Sequence, residues 1–136
     1  MPQTIALIVA GGRGSRLGHA TPKQYLDLAG MPVIRRTVLA YMNHPRIDGV
    51  CVVRGADAEA DYRAALAGLD LLPAAEGGAE RQDSVRNGLE SLVDRDVGTV
   101  LIHDAARPLI DAETISRTLD ALDRADGAIA AVPLAD

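Results

Sequence analysis

Residues 5–18 read Ile5-Ala6-Leu7-Ile8-Val9-Ala10-Gly11-Gly12-Arg13-Gly14-Ser15-Arg16-Leu17-Gly18, an unbroken apolar run that passes directly into a loop holding four of the chain's 13 glycines. A run that is apolar at every position, not at alternate ones, predicts a strand buried on both faces. Glycines at its carboxyl end let the backbone turn sharply and approach a ligand closely, so that successive N–H groups can converge on phosphate oxygens. In open parallel sheets this is where ligands bind.

Working outward, further apolar runs at 49–53, 70–73, 99–102 and 128–132 predict strands. The stretches 33–42, 58–66, 83–92 and 112–122 carry apolar residues at helical spacing, as in Val85, Leu89 and Leu92, or Ile115, Leu119 and Leu122. Pro32 and Asp111 stand where helix starts belong. Strand alternating with helix predicts an α/β fold: a three-layer sandwich with a Rossmann-like, mostly parallel sheet covered on both faces. With no Trp, no Phe and three Tyr, the core must come from Ala, Val, Ile and Leu. Residues 1–136 are expected to form one nucleotide-binding domain. The run at 128–132 is followed by only four residues, so that domain is read as incomplete at its C-terminus.

A net charge of −5 without any dense Lys/Arg run argues against a nucleic-acid partner, which requires a basic face. The first apolar run is too short for a membrane span or a secretory leader and lacks a basic flank, which points to the cytoplasm and to no membrane partner. One cysteine, Cys51, excludes an internal disulfide and reads as a buried structural thiol.

Arg13 and Arg16 in the glycine loop, with Lys23 shortly after, add cations to the backbone donors and suit a triphosphate. Two common phosphate loops fail. The pattern G-x-G-x-x-G from Gly12 would need glycine where Leu17 stands, and no Gly-Lys pair exists for a Walker loop.

The block Ala10 to Leu17, followed by Pro22-Lys23-Gln24-Tyr25, resembles the signature of the nucleotidyltransferases that activate sugar phosphates, whose sheets are of the GT-A-like type. Gly77-Gly78-Ala79-Glu80-Arg81-Gln82-Asp83-Ser84-Val85 and Val100-Leu101-Ile102-His103-Asp104-Ala105-Ala106-Arg107-Pro108 narrow the resemblance to the 2-C-methyl-D-erythritol 4-phosphate cytidylyltransferase family. That resemblance implies attack of a sugar-alcohol phosphate on the α-phosphorus of CTP, with release of pyrophosphate and a Mg²⁺ requirement. A ribitol-phosphate cytidylyltransferase shares most of the blocks, and a non-catalytic nucleotide-binding module is the reading from another class.

By similarity, Arg16 and Lys23 are the catalytic cations on the α-phosphate. Ala10, Gly11, Gly12, Arg13, Gly14, Ser15, Gly78, Ala79, Ser84, Asp104 and Ala105 are the substrate-binding residues, and Asp104 is also the metal ligand. Cytosine recognition is expected from main-chain groups near Ala10, Gly11, Gly78 and Ala79, since a side chain at Gly78 would occupy the base's space. Many members carry Asp where this chain has Ala79, which a main-chain contact tolerates and a side-chain contact does not. For Asp104 the competing reading is an ion pair with Arg107, and for Asp83 and Ser84 it is a helix cap. A phosphate monoester is already largely ionised near neutral pH, its second pKa being about 6, so His103 is read as structural and His19 and His44 as surface residues. Complete members form homodimers through an arm beyond Asp136, and some continue into a second enzyme of the same pathway.

Overall fold

The computed structural model describes residues 1–11 and 21–134. In chain order its elements are β1 (Gln3–Ala10), a single 3₁₀ turn (Lys23–Tyr25), β2 (Asp27–Leu28), β3 (Met31–Pro32), α1 (Val33–Met42) and β4 (Gly49–Arg54). They continue as α2 (Glu59–Ala65), β5 (Ala75–Glu76), α3 (Arg81–Glu90), β6 (Val97–Asp104) and α4 (Ala112–Ala121). Strands β5, β4, β1 and β6 lie side by side in that order, every pairing parallel, while β2 and β3 form a small antiparallel hairpin.

Alternation along β1 and β4 explains the layers. Ile5, Leu7, Cys51 and Val53 face one side with Ala75 and Leu92. Ala6, Ile8, Val50 and Val52 face the other, against Ile34 and Val38 of α1, Ala65 of α2, and Ile115 and Leu119 of α4. Both faces of the central strands are therefore dry, as their unbroken hydrophobicity requires. Among the described helices, α3 covers the first side, with Leu72, Leu92 and Val97 packed beside it. It approaches so closely that a Cβ on Gly88 would lie 2.7 Å from Leu7 Cδ1 and from Val53 Cγ2. The face it buries is Ser84 and Gly88, whereas Leu89, part of the expected apolar stripe, is 39% exposed.

Helix starts fall as expected. Pro32 precedes α1 with extended backbone, and Asp111 caps α4 by accepting the Thr114 N–H at 2.8 Å. Cys51 is fully buried, and burial pushes its thiol pKa up.

Two strand expectations are corrected. Residues 70–73 are not a strand: the Leu72 N–H reaches Val50 O at 3.0 Å, but Pro73 has no N–H to continue the ladder, and pairing with β4 is made at Ala75–Glu76 instead. Residues 128–132 also form no strand. A groove of about 900 Å³, lined by residues 98–104 and 125–130, separates them from the edge of β6, so their N–H groups find no ladder, and Ile129 and Val132 are 89% and 85% exposed. Among the described residues no helix is long and apolar enough to cross a membrane.

Candidate active site

Strands β1 and β6 end side by side, with Val9 opposite Asp104, and the pairing runs one bond further as the Ala105 N–H donates to Val9 O at 3.0 Å. Parallel alignment makes this the carboxyl edge of the sheet, where a cleft of about 600 Å³ opens. Its walls are Val9 and Ala10 of β1 with Gly11 just after it, Lys23 and Gln24 from the 3₁₀ turn, Gly78 to Arg81 and Ser84 around the start of α3, and Asp104, which ends β6, with Ala105 to Arg107 after it. A larger groove beside α4 shares Arg81, Asp104 and Arg107 with this cleft but is not lined by Gly11, Lys23 or Gly78.

Three of the cleft's segments are fitted together around Ser84, which is 2% exposed. Its Oγ accepts the Gly78 N–H at 3.1 Å. A Cβ on Gly11 would sit 2.7 Å from that oxygen, and one on Gly77 would sit 2.9 Å from it and 3.3 Å from Gly11 Cα. No residue other than glycine fits at either position without moving the serine. The structure also gives Gly78 an internal reason, independent of any base: its Cβ would collide with Asp83 Cβ. Asp83, not Ser84, serves the helix end, its Oδ2 accepting the Glu80 N–H at 3.1 Å. Ser84 is the tie between helix and loop.

Asp104 is held from both sides. Arg81 Nε and Nη2 donate to its Oδ1 at 3.2 and 2.9 Å, and Arg107 Nε donates to its Oδ2 at 3.1 Å. Partial burial pulls the carboxyl upward, but the hydrogen bonds and charges of Arg81 and then Arg107 outweigh it and leave its pKa below the ordinary carboxylate value. The pairing with Arg107 expected as the alternative is thus present, and Arg81 is added to it. Among the described residues no group of three potential ligands could hold a metal on its own. Lys23 is an exposed residue of the cleft wall, and among the described residues no carboxylate pairs with it.

The cleft brings together Ala10, Gly11, Lys23, Gly78, Ala79, Ser84, Asp104 and Ala105. Gly12, Arg13, Gly14, Ser15 and Arg16 lie outside the described residues, as does His19. His103 has partners within the fold: its Nε2 meets Arg107 O at 2.9 Å and its ring tilts against Tyr41 with centroids 5.1 Å apart. His44 is not a surface residue. It is 3% exposed, accepts the Arg46 N–H on Nδ1 at 3.1 Å and meets Ser116 Oγ through Nε2 at 2.8 Å, so a partner from α4 satisfies it. Gln24 and Arg81 are cleft residues to which sequence reasoning gave no role, although both stand inside the blocks that carried the resemblance.

The comparisons with known proteins agree with this geometry. The family model described as "IspD: 2-C-methyl-D-erythritol 4-phosphate cytidylyltransferase" matches residues 4–136. The chain is 52% identical over its whole length to a "Bifunctional enzyme IspD/IspF" of Paramagnetospirillum magneticum and 50% identical to one of Rhodospirillum rubrum. It spans 35% and 36% of those relatives' own length. Among solved structures, a 4-diphosphocytidyl-2C-methyl-D-erythritol synthase from Anaerococcus prevotii superposes with a TM-score of 0.77 at 25% identity, covering 90% of this chain and 52% of that one. A second synthase of the same description gives 0.78 at 26% identity, covering 100% of this chain and 62% of that one. With the sheet, the cleft and the family model in agreement over almost every residue, the chain belongs to the 2-C-methyl-D-erythritol 4-phosphate cytidylyltransferase family.

Proposed function

We propose that the full-length protein transfers the cytidylyl group of CTP to 2-C-methyl-D-erythritol 4-phosphate in isoprenoid synthesis, releasing pyrophosphate, and that the cleft between Lys23 and Asp104 is where the two anions meet. The observation that supports this most is the meeting of an exposed ammonium, two closely packed glycine segments and a guanidinium-flanked carboxylate at one sheet edge.

The chemistry asks for little covalent help. The acceptor's phosphate oxygen bonds to the α-phosphorus as the bond to pyrophosphate breaks, and an acceptor already ionised near neutral pH needs no base. This fits a histidine, His103, that is committed to Arg107 O and Tyr41. What remains is to position the reactants and to neutralise the charge that gathers at phosphorus. Lys23 does so from the 3₁₀ turn together with Arg16, and the main chain at Ala10, Gly11, Gly78 and Ala79 reads the base.

Asp104 suits Mg²⁺ in one respect, since that ion keeps its waters and takes one or two carboxylates together with phosphates. Arg81 and Arg107 occupy both of its oxygens, so they must share the carboxylate with any ion bound there. Bound Mg²⁺ would supply charge neutralisation at the phosphates.

Calorimetric titration of the full-length protein with CTP, UTP, ATP and GTP in the presence of Mg²⁺ tests the reading. CTP should bind tightest. Equal affinity for a purine triphosphate would defeat the cytidylyl assignment.

A further inference from the structure

Gln24 is one of the two buried side chains on the turn that carries Lys23, the other being Tyr25. It is 4% exposed, and its Nε2 donates to Ala10 O, the carbonyl that ends β1, at 3.1 Å. The turn itself has little to hold it. It is three residues long, has no side-chain cap, and closes through two backbone bonds, Tyr25 N to Pro22 O at 3.0 Å and Leu26 N to Lys23 O at 3.2 Å. A single 3₁₀ turn is not stable by itself, so side chains that reach the rest of the molecule set where it sits. Two do: Tyr25, 9% exposed and packed into the core, and Gln24.

The two anchors differ in kind. Apolar packing fixes how deep Tyr25 lies but is non-directional, whereas an amide-to-carbonyl bond fixes direction as well. Burying a primary amide also costs free energy that Leu or Met at the same place would not. A purely space-filling role would therefore be served better by an apolar residue. The bond also joins positions 14 apart, so it ties the turn of Lys23 directly to the end of the strand from which the glycine-rich segment departs.

We infer that Gln24 is a positioning residue: its amide, anchored on Ala10 O, sets the place of Lys23 relative to the carboxyl end of β1, and it acts on turnover through Lys23. This rests on the proposed role of Lys23 in cytidylyl transfer. Because a displacement of about 1 Å can cost on the order of 10²-fold in rate, loss of the anchor should be felt in kcat.

The test uses the full-length protein with CTP and 2-C-methyl-D-erythritol 4-phosphate, and compares Gln24→Met, Lys23→Ala and the double variant, with thermal melts alongside. Gln24→Met is close in size but has no donor. It should lower kcat about 10- to 10²-fold with KM for CTP changed less than about twofold, and should add nothing in the Lys23→Ala background. Gln24→Asn, which keeps the amide on a shorter stem, should fall between wild type and Gln24→Met, and it decides the matter by the same double-variant comparison if Gln24→Met does not fold. Equal factors in both backgrounds, or a loss confined to KM, would overturn the positioning role alone. A Lys23→Ala variant with wild-type turnover would overturn the reading of Lys23 and this inference with it.

Discussion

Ser84 Oγ accepts the Gly78 N–H at 3.1 Å from a position that is 2% exposed, and the same oxygen is what a Cβ on Gly11 or Gly77 would strike. One buried hydroxyl thus joins the end of β1, the loop before α3 and the helix itself. The small residues of the cleft are therefore a packing requirement before they are a binding one.

Ser84→Ala removes the acceptor and leaves the Gly78 N–H with no protein partner at that place. A cost of about 1 kcal/mol in unfolding free energy is expected, together with weaker CTP binding as the loop loosens. Gly11→Ala should cost more, since it must displace the serine. Denaturant unfolding of both variants checks the order, and a Gly11→Ala protein as stable as wild type would contradict the packing account.

Gly88→Ala sets two effects against each other. Alanine gains about 1 kcal/mol over glycine in a helix interior. Its methyl, however, would sit 2.7 Å from both Leu7 Cδ1 and Val53 Cγ2 in a dry layer, and overpacking of that kind typically costs about 1–3 kcal/mol. The expected net result is destabilisation, read as a lower midpoint in urea. A raised midpoint would show that α3 can move off the sheet freely.

Much of this architecture was legible. Strands β1, β4 and β6 and all four helices follow from unbroken apolar runs and helical spacing, because burial on both faces leaves an unmistakable pattern. The misses have particular causes. Residues 70–73 are apolar but contain Pro73, which shifts pairing to Ala75–Glu76. Residues 128–132 have the composition of a strand, yet hydrogen bonding needs a neighbour, and a groove lies between them and β6. The buried face of α3 is Ser84 and Gly88, so its stripe of Val85, Leu89 and Leu92 marked the wrong side in part. His44 read as a surface residue and Arg81 was given no role, because their partners, Ser116 and Asp104, are 72 and 23 positions away.

Asp104 gives a pH signature. Its carboxyl pKa is lowered in the folded protein by Arg81 and Arg107 against the pull of burial, so its contribution to stability is present above the unfolded value of about 4 and is lost as the pH falls through the lower folded value. The stability difference between wild type and Asp104→Asn should therefore be largest near neutral pH and should shrink below about pH 4. Urea unfolding across that range measures it. A difference independent of pH would mean that the two arginines do not stabilise the charged form. The side chain is 36% exposed, so solvent screening keeps the effect modest.

The most direct measurement is steady-state pyrophosphate release by full-length Lys23→Ala with CTP and 2-C-methyl-D-erythritol 4-phosphate. An ammonium at the cleft wall gains more from the transition state, where a second phosphate adds negative oxygens at phosphorus, than from bound CTP. Loss of one comparable preorganised group typically costs on the order of 10²–10³ in turnover, so kcat should fall by about that factor with a smaller change in KM for CTP. A kcat near wild type with a steeply raised KM would contradict the account and leave Lys23 as a residue that only binds substrate.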